Sequence, residues 1–367
     1  MKKSSGRCWK RCTQPNARSS RCITGRTSAR TRPKTWPAWC NRIGPTRKLR
    51  SSAANSHTIT TSFRWNNRLT NCERRSGGSV SKVHIVTDSA VTIEPSVVEE
   101  LGITVVPLKV QIGQEIYQDE EELDHEELLL RMARERVRPA IVGPTAEDFR
   151  RLYNRLTRHT DQIISLHSSA RLSLVCREAR KAAREFMGRC DIVIMDSETL
   201  SLGLGILVEQ AARLADQSVP LSDIMRHVRG LIPHVYIVMI TKTMDYLEHS
   251  GLISPAQAIL GTMLNVRPFL TIEEGEIIPL EKVRSHDRAI DKLIEFAGEF
   301  STIEQMAIFQ STPYPTERTK MLQERLESIA PGQEAPILLY GPLLASHIGP
   351  DGMGLIVYEG TKEALSI

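Results

Sequence analysis

Val83-His84-Ile85-Val86-Thr87-Asp88-Ser89 is a short apolar strand that runs into three polar residues. The same pattern recurs at 191–197, where the buried-type run Asp-Ile-Val-Ile-Met ends in Asp196-Ser197. Residues 103–112 and 163–166 also read as strands, and helical patterns lie between them. Thr145-Ala-Glu-Asp148 has an N-cap threonine with a carboxylate at the third helical position. Phe149, Leu152, Tyr153 and Leu156 then follow helical spacing. Strands alternating with helices predict an α/β fold with a mainly parallel sheet flanked by helices. Ligands bind beyond the carboxyl ends of such strands, which is where Thr87, Asp88, Ser89, Asp196 and Ser197 fall. Asp and Ser in these places can equally cap the helices that follow.

The second half has a different order. Strands are predicted at 234–240, 305–310, 336–340 and 354–358, and helices at 254–264, 285–300 and 315–329. Phe269–Ile272 and Glu276–Leu280 flank Glu273-Glu274-Gly275, a hairpin signal. Together these predict a mixed α/β second domain, with the boundary near Ser218–Ser222. The domains are then 81–220 and 221–360, with a short tail at 361–367.

The net charge of +5 hides two unlike parts. Of 48 Lys+Arg and 43 Asp+Glu, residues 1–80 hold 19 and one (Glu73), leaving 29 and 42 for the rest. The first part is therefore +18 and the second −13. A basic, Arg/Ser/Thr-rich segment with no apolar period is not expected to fold by itself. It reads as a nucleic-acid-binding tail, a transit-like segment or a spurious upstream extension. The abrupt change before Ser81 favours the last. Cys8 and Cys12 have no matching pair at zinc spacing. No nucleic acid is expected to bind residues 81–367. Cys176 and Cys190 read as buried free thiols in a reducing cytoplasm. There is no signal-peptide apolar region, nor an apolar run long enough to span a bilayer.

Candidate chemistry is spread thinly. His347 lies between two strand-like runs and before the Gly/Pro-rich turn Gly349-Pro350-Asp351-Gly352, a setting that can hold an anion. Ser168, Ser169 and Ser173 precede or begin a helix, where hydroxyls and free amides suit a carboxylate. Ordinary capping is the competing reading. Gly203-Leu204-Gly205 lacks the third glycine of a dinucleotide fingerprint and reads as close packing or close ligand approach. Phosphate-loop, Gly-x-Ser-x-Gly and HExxH motifs are all absent, and no metal site is expected.

Taken in order, Val-Thr-Asp-Ser at 86–89, Met-Asp-Ser-Glu-Thr-Leu-Ser-Leu-Gly-Leu-Gly at 195–205 and Leu-Gly-Thr-Met-Leu-Asn-Val-Arg-Pro-Phe-Leu at 260–270 resemble the DegV family of fatty-acid-binding proteins. Gly275, Val283-Arg284 and His347-Ile-Gly-Pro extend the match, which spans Val83 to Glu359. The resemblance implies a two-domain DegV-like fold that binds a long-chain fatty acid and uses no cofactor. The acyl chain would lie in an apolar tunnel of the first domain, with its carboxylate at an interdomain cleft. A separate fatty acid kinase would phosphorylate that carboxylate, making this chain a cytoplasmic carrier in phospholipid metabolism and not an enzyme. Transient membrane contact is compatible with that role. By this resemblance Ser168, Ser169, Ser173 and His347 hold the head group. Thr87, Asp88, Ser89, Ile141, Val142, Ala170, Asp196, Ser197, Gly203, Gly205, Arg284 and Gly349 line the cleft.

Three departures stand out. Ile141-Val142-Gly143-Pro144 occupies the place of a usual Thr-Ser-Gln-Pro. The paired serines, aligned on Leu172-Ser173, fall on Ser169 and Ala170, or on Ser168-Ser169 with a one-residue shift. Ser250-Gly251-Leu252-Ile253 replaces Gly-Gly-Arg-Ile, so a basic residue is missing. The alternative function is a hydrolase or transferase acting on an acyl lipid through Ser169 or Ser89 with His347.

Overall fold

The computed structural model describes residues 82–119 and 121–360. The expectations for residues 1–80 and for the tail at 361–367 lie outside them. In chain order the first half runs β1 (His84–Asp88), α1 (Pro95–Leu101), β2 (Thr104–Val106), β3 (Lys109–Ile112), β4 (Glu115–Gln118), α2 (His125–Glu135), β5 (Ala140–Gly143), α3 (Ala146–Leu156), β6 (Gln162–His167), α4 (Val175–Ala183), β7 (Asp191–Asp196), α5 (Ser201–Asp216) and α6 (Leu221–Leu231). The second half runs β8 (Val235–Ile240), α7 (Met244–His249), α8 (Pro255–Met263), β9 (Arg267–Glu273), β10 (Glu276–Val283), α9 (His286–Ala297), β11 (Gln305–Gln310), α10 (Glu317–Ile329), β12 (Ile337–Leu339), α11 (Pro342–Ile348) and β13 (Met353–Tyr358).

The first sheet is parallel throughout, in the order β2-β1-β6-β7. Its central strands β1 and β6 are buried on both faces, as helices on both sides require. Ile163 packs with Phe149 and Tyr153 of α3 and Val175 and Ala179 of α4. Ile164 and Leu166 face the other way, onto Leu204, Leu207 and Ala211 of α5 and Ile224 and Val228 of α6. Helix α6 thus shares a core with β1, and the chain reaches the second sheet only after Ile232–His234. That second sheet is mixed, in the order β10-β9-β8-β13-β11-β12. The predicted hairpin is present, with Glu274 and Gly275 both at positive φ, the backbone a tight two-residue hairpin requires.

Two expectations need correction. Residues 103–112 do not form one strand. Pro107 lies between β2 and β3, and β3 leaves the parallel sheet for a separate antiparallel sheet of order β4-β3-β5. Gly203 and Gly205 do not line a cleft. Both are buried inside α5, where a Cβ on Gly205 would collide with the Thr92 carbonyl and one on Gly203 would lie 2.6 Å from Val235 Cγ1. They let the helix pack closely.

The predicted start of α3 is a capping box. Thr145 accepts from the Asp148 amide, and Asp148 accepts from the Thr145 amide at 2.9 Å. Lys109 Nζ also reaches Asp148, at 2.5 Å. Burial opposes ionisation of Asp148, but Lys109 and Thr145 hold its pKa down at about 2. Because the folded value is depressed, this contribution to stability is full above the ordinary 3.8 and is lost as pH falls towards about 2. Thr145→Ala is expected to lower stability at neutral pH by about 1 kcal/mol in a urea titration.

Candidate functional site

The register pairs Val86 with Ser165, and His167 with Asp196, so β1, β6 and β7 end side by side. Asp88 and His167, at the ends of β1 and β6, are wholly buried. A buried carboxylate is costly unless donors surround it. Asp88 is well supplied. Its Oδ1 accepts from the Ala90 amide at 3.1 Å. Its Oδ2 accepts from the amide and hydroxyl of Ser168 at 2.9 and 3.2 Å, and lies 3.1 Å from His167 Nδ1. On the far side of the ring, His167 Nε2 lies 2.7 Å from Ser165 Oγ, which lies 2.8 Å from the Tyr153 hydroxyl. Phe149 packs edge-on against the imidazole, 5.2 Å between centroids. A continuous hydrogen-bonded chain thus runs from α3 through β6 to Asp88.

Sequence reasoning missed Tyr153, Ser165 and His167 as part of this arrangement. A signal was present: Ser165 and His167 alternate with Ile164 and Leu166 in a strand otherwise read as apolar. The order Ser165–His167–Asp88 has the connectivity of a hydrolytic triad. All three side chains are fully buried, so the hydroxyl is sealed from solvent.

Asp88 fixes one end of a turn, Ser168–Ser173. The Ser169 amide donates to Thr199 O at 2.9 Å, and the Leu172 and Ser173 amides return to Ser169 O. Asp196 Oδ1 accepts from the Ala170 amide at 3.1 Å, so Asp88, Ser168, Ser169, Ala170 and Asp196 do meet. Ser169 Oγ donates to Gly275 O at 2.7 Å, tying the turn to the β9–β10 hairpin. Gly275 has φ +80°, and any Cβ there would lie 2.5 Å from Ser169 Oγ. The three serines do not begin or cap α4, whose N-cap is Leu174 with no side-chain bond. They build the turn before it.

His347 reaches this turn from the second half. It does not sit at a strand end, as its surroundings in sequence suggest, but in the last turn of α11. Its Nε2 lies 3.3 Å from Leu172 O, and its Nδ1 is buried with no protein partner. A carbonyl only accepts, so Nε2 carries the proton and Nδ1 presents a lone pair. Burial lowers the pKa below the ordinary 6.5, with the Leu172 contact acting the other way. Gly349 ends α11 at φ +81°, where a Cβ would meet Tyr246 Cδ2 at 2.5 Å. The Tyr340 hydroxyl donates to its carbonyl at 2.7 Å. Gly349 therefore positions the helix end that carries His347.

Other predicted residues fall nearby or elsewhere. Ile141 and Val142, on β5, line a pocket of about 230 Å³ with Gly143–Thr145, Leu174, Val175, Arg177 and Glu178. They therefore face the segment that follows Ser173. Ser89 is held by Asp119, donating to Oδ2 at 2.6 Å, while His125 Nε2 lies 2.7 Å from Oδ1. Neither Asp119 nor His125 was foreseen. Ser89 and His125 border a second pocket of about 160 Å³, which Leu343 and Leu344 of α11 also line. Thr87 Oγ1 is buried without a partner. Ser197 Oγ bonds within its own turn, donating to Thr199 O at 3.1 Å. Arg284 is a correction. It follows β10 at the end opposite Gly275, on the order of 25 Å along the strand from the hairpin tip that touches Ser169. Among the described residues no cluster of three or more His, Cys, Asp or Glu could hold a metal ion, and no helix is long and apolar enough to cross a membrane.

Comparison with known proteins bears on this arrangement. The profile of a family described as "Uncharacterised protein, DegV family" matches residues 82–360. A DegV domain-containing protein of Streptomyces coelicolor is 32% identical over 284 residues, covering 75% of this chain and 98% of its own. A DegV family protein of Thermus thermophilus, described by its fatty acid binding, superposes with a TM-score of 0.66 at 29% identity, covering 76% of this chain and all of the other. DegV of Bacillus subtilis, described as a fatty acid binding protein, gives 0.66 at 26% identity with the same coverage.

Proposed function

The chain belongs to the DegV family, and on that premise we propose that it is a non-catalytic binding protein for a long-chain fatty acid. The head group is held where the Ser168–Ser173 turn meets His347, and a separate kinase receives it there. The observation that carries this reading is the contact of His347 with Leu172 O, which brings a half-buried imidazole with a buried, unpartnered Nδ1 to a turn already ordered by Asp88 and Asp196. The pocket beside Ile141 and Val142 adjoins the same turn, and its apolar part, Ile141, Val142, Pro144, Leu174 and Val175, suits an acyl chain at about 0.8 kcal/mol per buried CH₂, with Arg177 and Glu178 also on its wall. Exposed Ile259, Leu260, Met263 and Leu264 on and after α8 support transient membrane contact during exchange. The carrier is placed in the cytoplasm.

The hydrolase reading has less support. Ser169 Oγ donates to Gly275 O and Ser89 Oγ to Asp119, so both proposed nucleophiles are bonded away from His347. The test is mass spectrometry of lipids released from the purified chain, beside an esterase assay. A free fatty acid at near-equal ratio and no turnover are expected. Ester cleavage lost in Ser169→Ala would reverse the assignment.

Two further outcomes follow from the family match. A chain beginning at Ser81 is expected to keep the melting temperature and fatty acid affinity of the full chain, because the match begins at Lys82 and covers nearly all of the relatives' own length. A lower melting temperature would show that the basic segment supports the fold. Ile141→Thr with Val142→Ser restores hydroxyls beside the turn. The double variant is expected to bind fatty acid more tightly by about 1–3 kcal/mol, the scale of hydrogen bonds to a charged group. Unchanged affinity would place the head group away from β5.

A further inference from the structure

One end of the second sheet gathers four cations from different parts of the chain. Arg267 opens β9, and the register sets it against Val283, the residue before Arg284. Ile240 pairs with Phe269, so Lys242, two residues on, emerges opposite Arg267. Arg318 is the second residue of α10. Among the described residues no carboxylate forms an ion pair with any of the four. Arg267 rests instead on a histidine. Its Nη1 lies 2.7 Å from Nδ1 of His286, the first residue of α9, and close to Nε2 as well. Its Nε is buried with no partner.

A neutral imidazole gives a guanidinium a lone pair but no charge. His286 is kept neutral here. Burial, then Arg267, Arg318 and Lys242, hold its pKa down at about 4 against the opposing pull of Asp287. Burial and Arg318 also act against the Arg267 cation, while Asp351 favours it. Asp351 accepts from the Thr243 hydroxyl, and Asp287 lies in the first turn of α9. Lys242, Arg267 and Arg318 therefore surround His286, with the two carboxylates Asp287 and Asp351 acting against them. Helices α9 and α10 both begin here, with Ser285 and Thr316 as their caps, and their first-turn amides add partial positive charge.

We propose that Lys242, Arg267, Arg318 and the start of α9 form a binding site for a phosphate monoester dianion. Arg267 Nε supplies the donor that now lacks a partner, and a guanidinium matches phosphate through paired N–H groups. Lys242 and Arg318 act as point charges. A dianion balances the local excess of positive charge and removes the reason for His286 to stay neutral. The site uses none of the residues assigned to the fatty acid and stands apart from that reading.

The test titrates the full chain with inorganic phosphate, and separately with lysophosphatidic acid as a lipid-borne phosphomonoester. Calorimetry follows binding while NMR follows the His286 ring. Phosphate is expected to saturate in the millimolar range or below and to raise the His286 pKa, whereas chloride at equal ionic strength does neither. Arg318→Gln, an exposed change, is expected to weaken binding about tenfold or more, and Arg267→Gln to abolish it. Tighter lysophosphatidic acid, lost in the same variants, identifies a lipid source. Equal affinities identify free phosphate. The proposal is overturned if phosphate does not saturate, if His286 titrates unchanged, or if both variants bind like the native chain.

Discussion

Replacing Asp88 with Ala is expected to lower the free energy of unfolding by about 3–5 kcal/mol. The substitution removes the common acceptor of the Ser168 amide, the Ser168 hydroxyl and His167 Nδ1, all of them buried. The Ser168 hydroxyl keeps Ser173 Oγ at 3.3 Å, but the Ser168 amide and His167 Nδ1 lose the acceptor they have, and each stranded donor costs about 1–3 kcal/mol. The loss should exceed that of an ordinary apolar truncation of the same size, because the cost is polar. Asp88→Asn tests the cause. An amide oxygen can still accept from Ser168 or His167, but its NH₂ then faces a donor, so an intermediate loss is expected. Guanidinium unfolding of the three chains measures both. A loss below about 1 kcal/mol for Asp88→Ala would mean that water or a rearranged side chain satisfies the donors, and that Asp88 does not order the turn. The same substitution should weaken fatty acid binding, since Ser168 is the first residue of the turn to which His347 is docked.

The contrast between this chain of hydrogen bonds and the rest of the fold shows what the sequence can carry. Strand β1, the start of α3 and the β9–β10 hairpin were legible because each is fixed by neighbours within a few residues. Val83 to Val86 alternate between two buried faces, Thr145 and Asp148 cap one another, and Gly275 supplies a positive φ. Strand β5 was not legible. Ala140–Gly143 is four residues long, half exposed, and becomes a strand only by pairing with β3. The Tyr153–Ser165–His167–Asp88 chain draws on three elements, and no spacing rule joins residues 80 positions apart. The helix bearing His347 was more accessible than its reading suggested. Pro342 sits in its first turn and Gly349 just past its end, the asymmetry expected of a short helix, but the strand-like runs on either side mask a helix of seven residues. Arg284 shows the opposite error. Sequence order linked it to the cleft, whereas the length of β10 carries it to the other end of the sheet.

His347→Ala is expected to weaken binding of a free long-chain fatty acid by about 1–3 kcal/mol and to abolish a pH dependence that the native chain should show. The argument starts from the tautomer. Leu172 O fixes the proton on Nε2, so the neutral ring offers only a lone pair at Nδ1. A carboxylate also offers only lone pairs. The two meet favourably only if one proton is added, on the imidazole or on the acid, and either way the complex holds one proton more than its separated parts. Affinity should therefore fall as pH rises above the lowered pKa of His347 in the free chain, by up to about tenfold, or about 1.4 kcal/mol, per pH unit. The unliganded chain should respond in the opposite sense. Burial lowers the folded pKa of His347, so its contribution to stability is intact above 6.5 and is lost as pH falls below that value towards the depressed one. A fatty alcohol of equal length separates head-group chemistry from chain burial. Its hydroxyl can donate to Nδ1 without an added proton, so its affinity should be flat over the same range. Fatty acid affinity measured at several pH values in native and His347→Ala chains decides the matter. A flat profile for the native chain, or an equal slope in both, would mean that the acid head group does not meet Nδ1 and that His347 serves only to bind α11 to the Ser168–Ser173 turn.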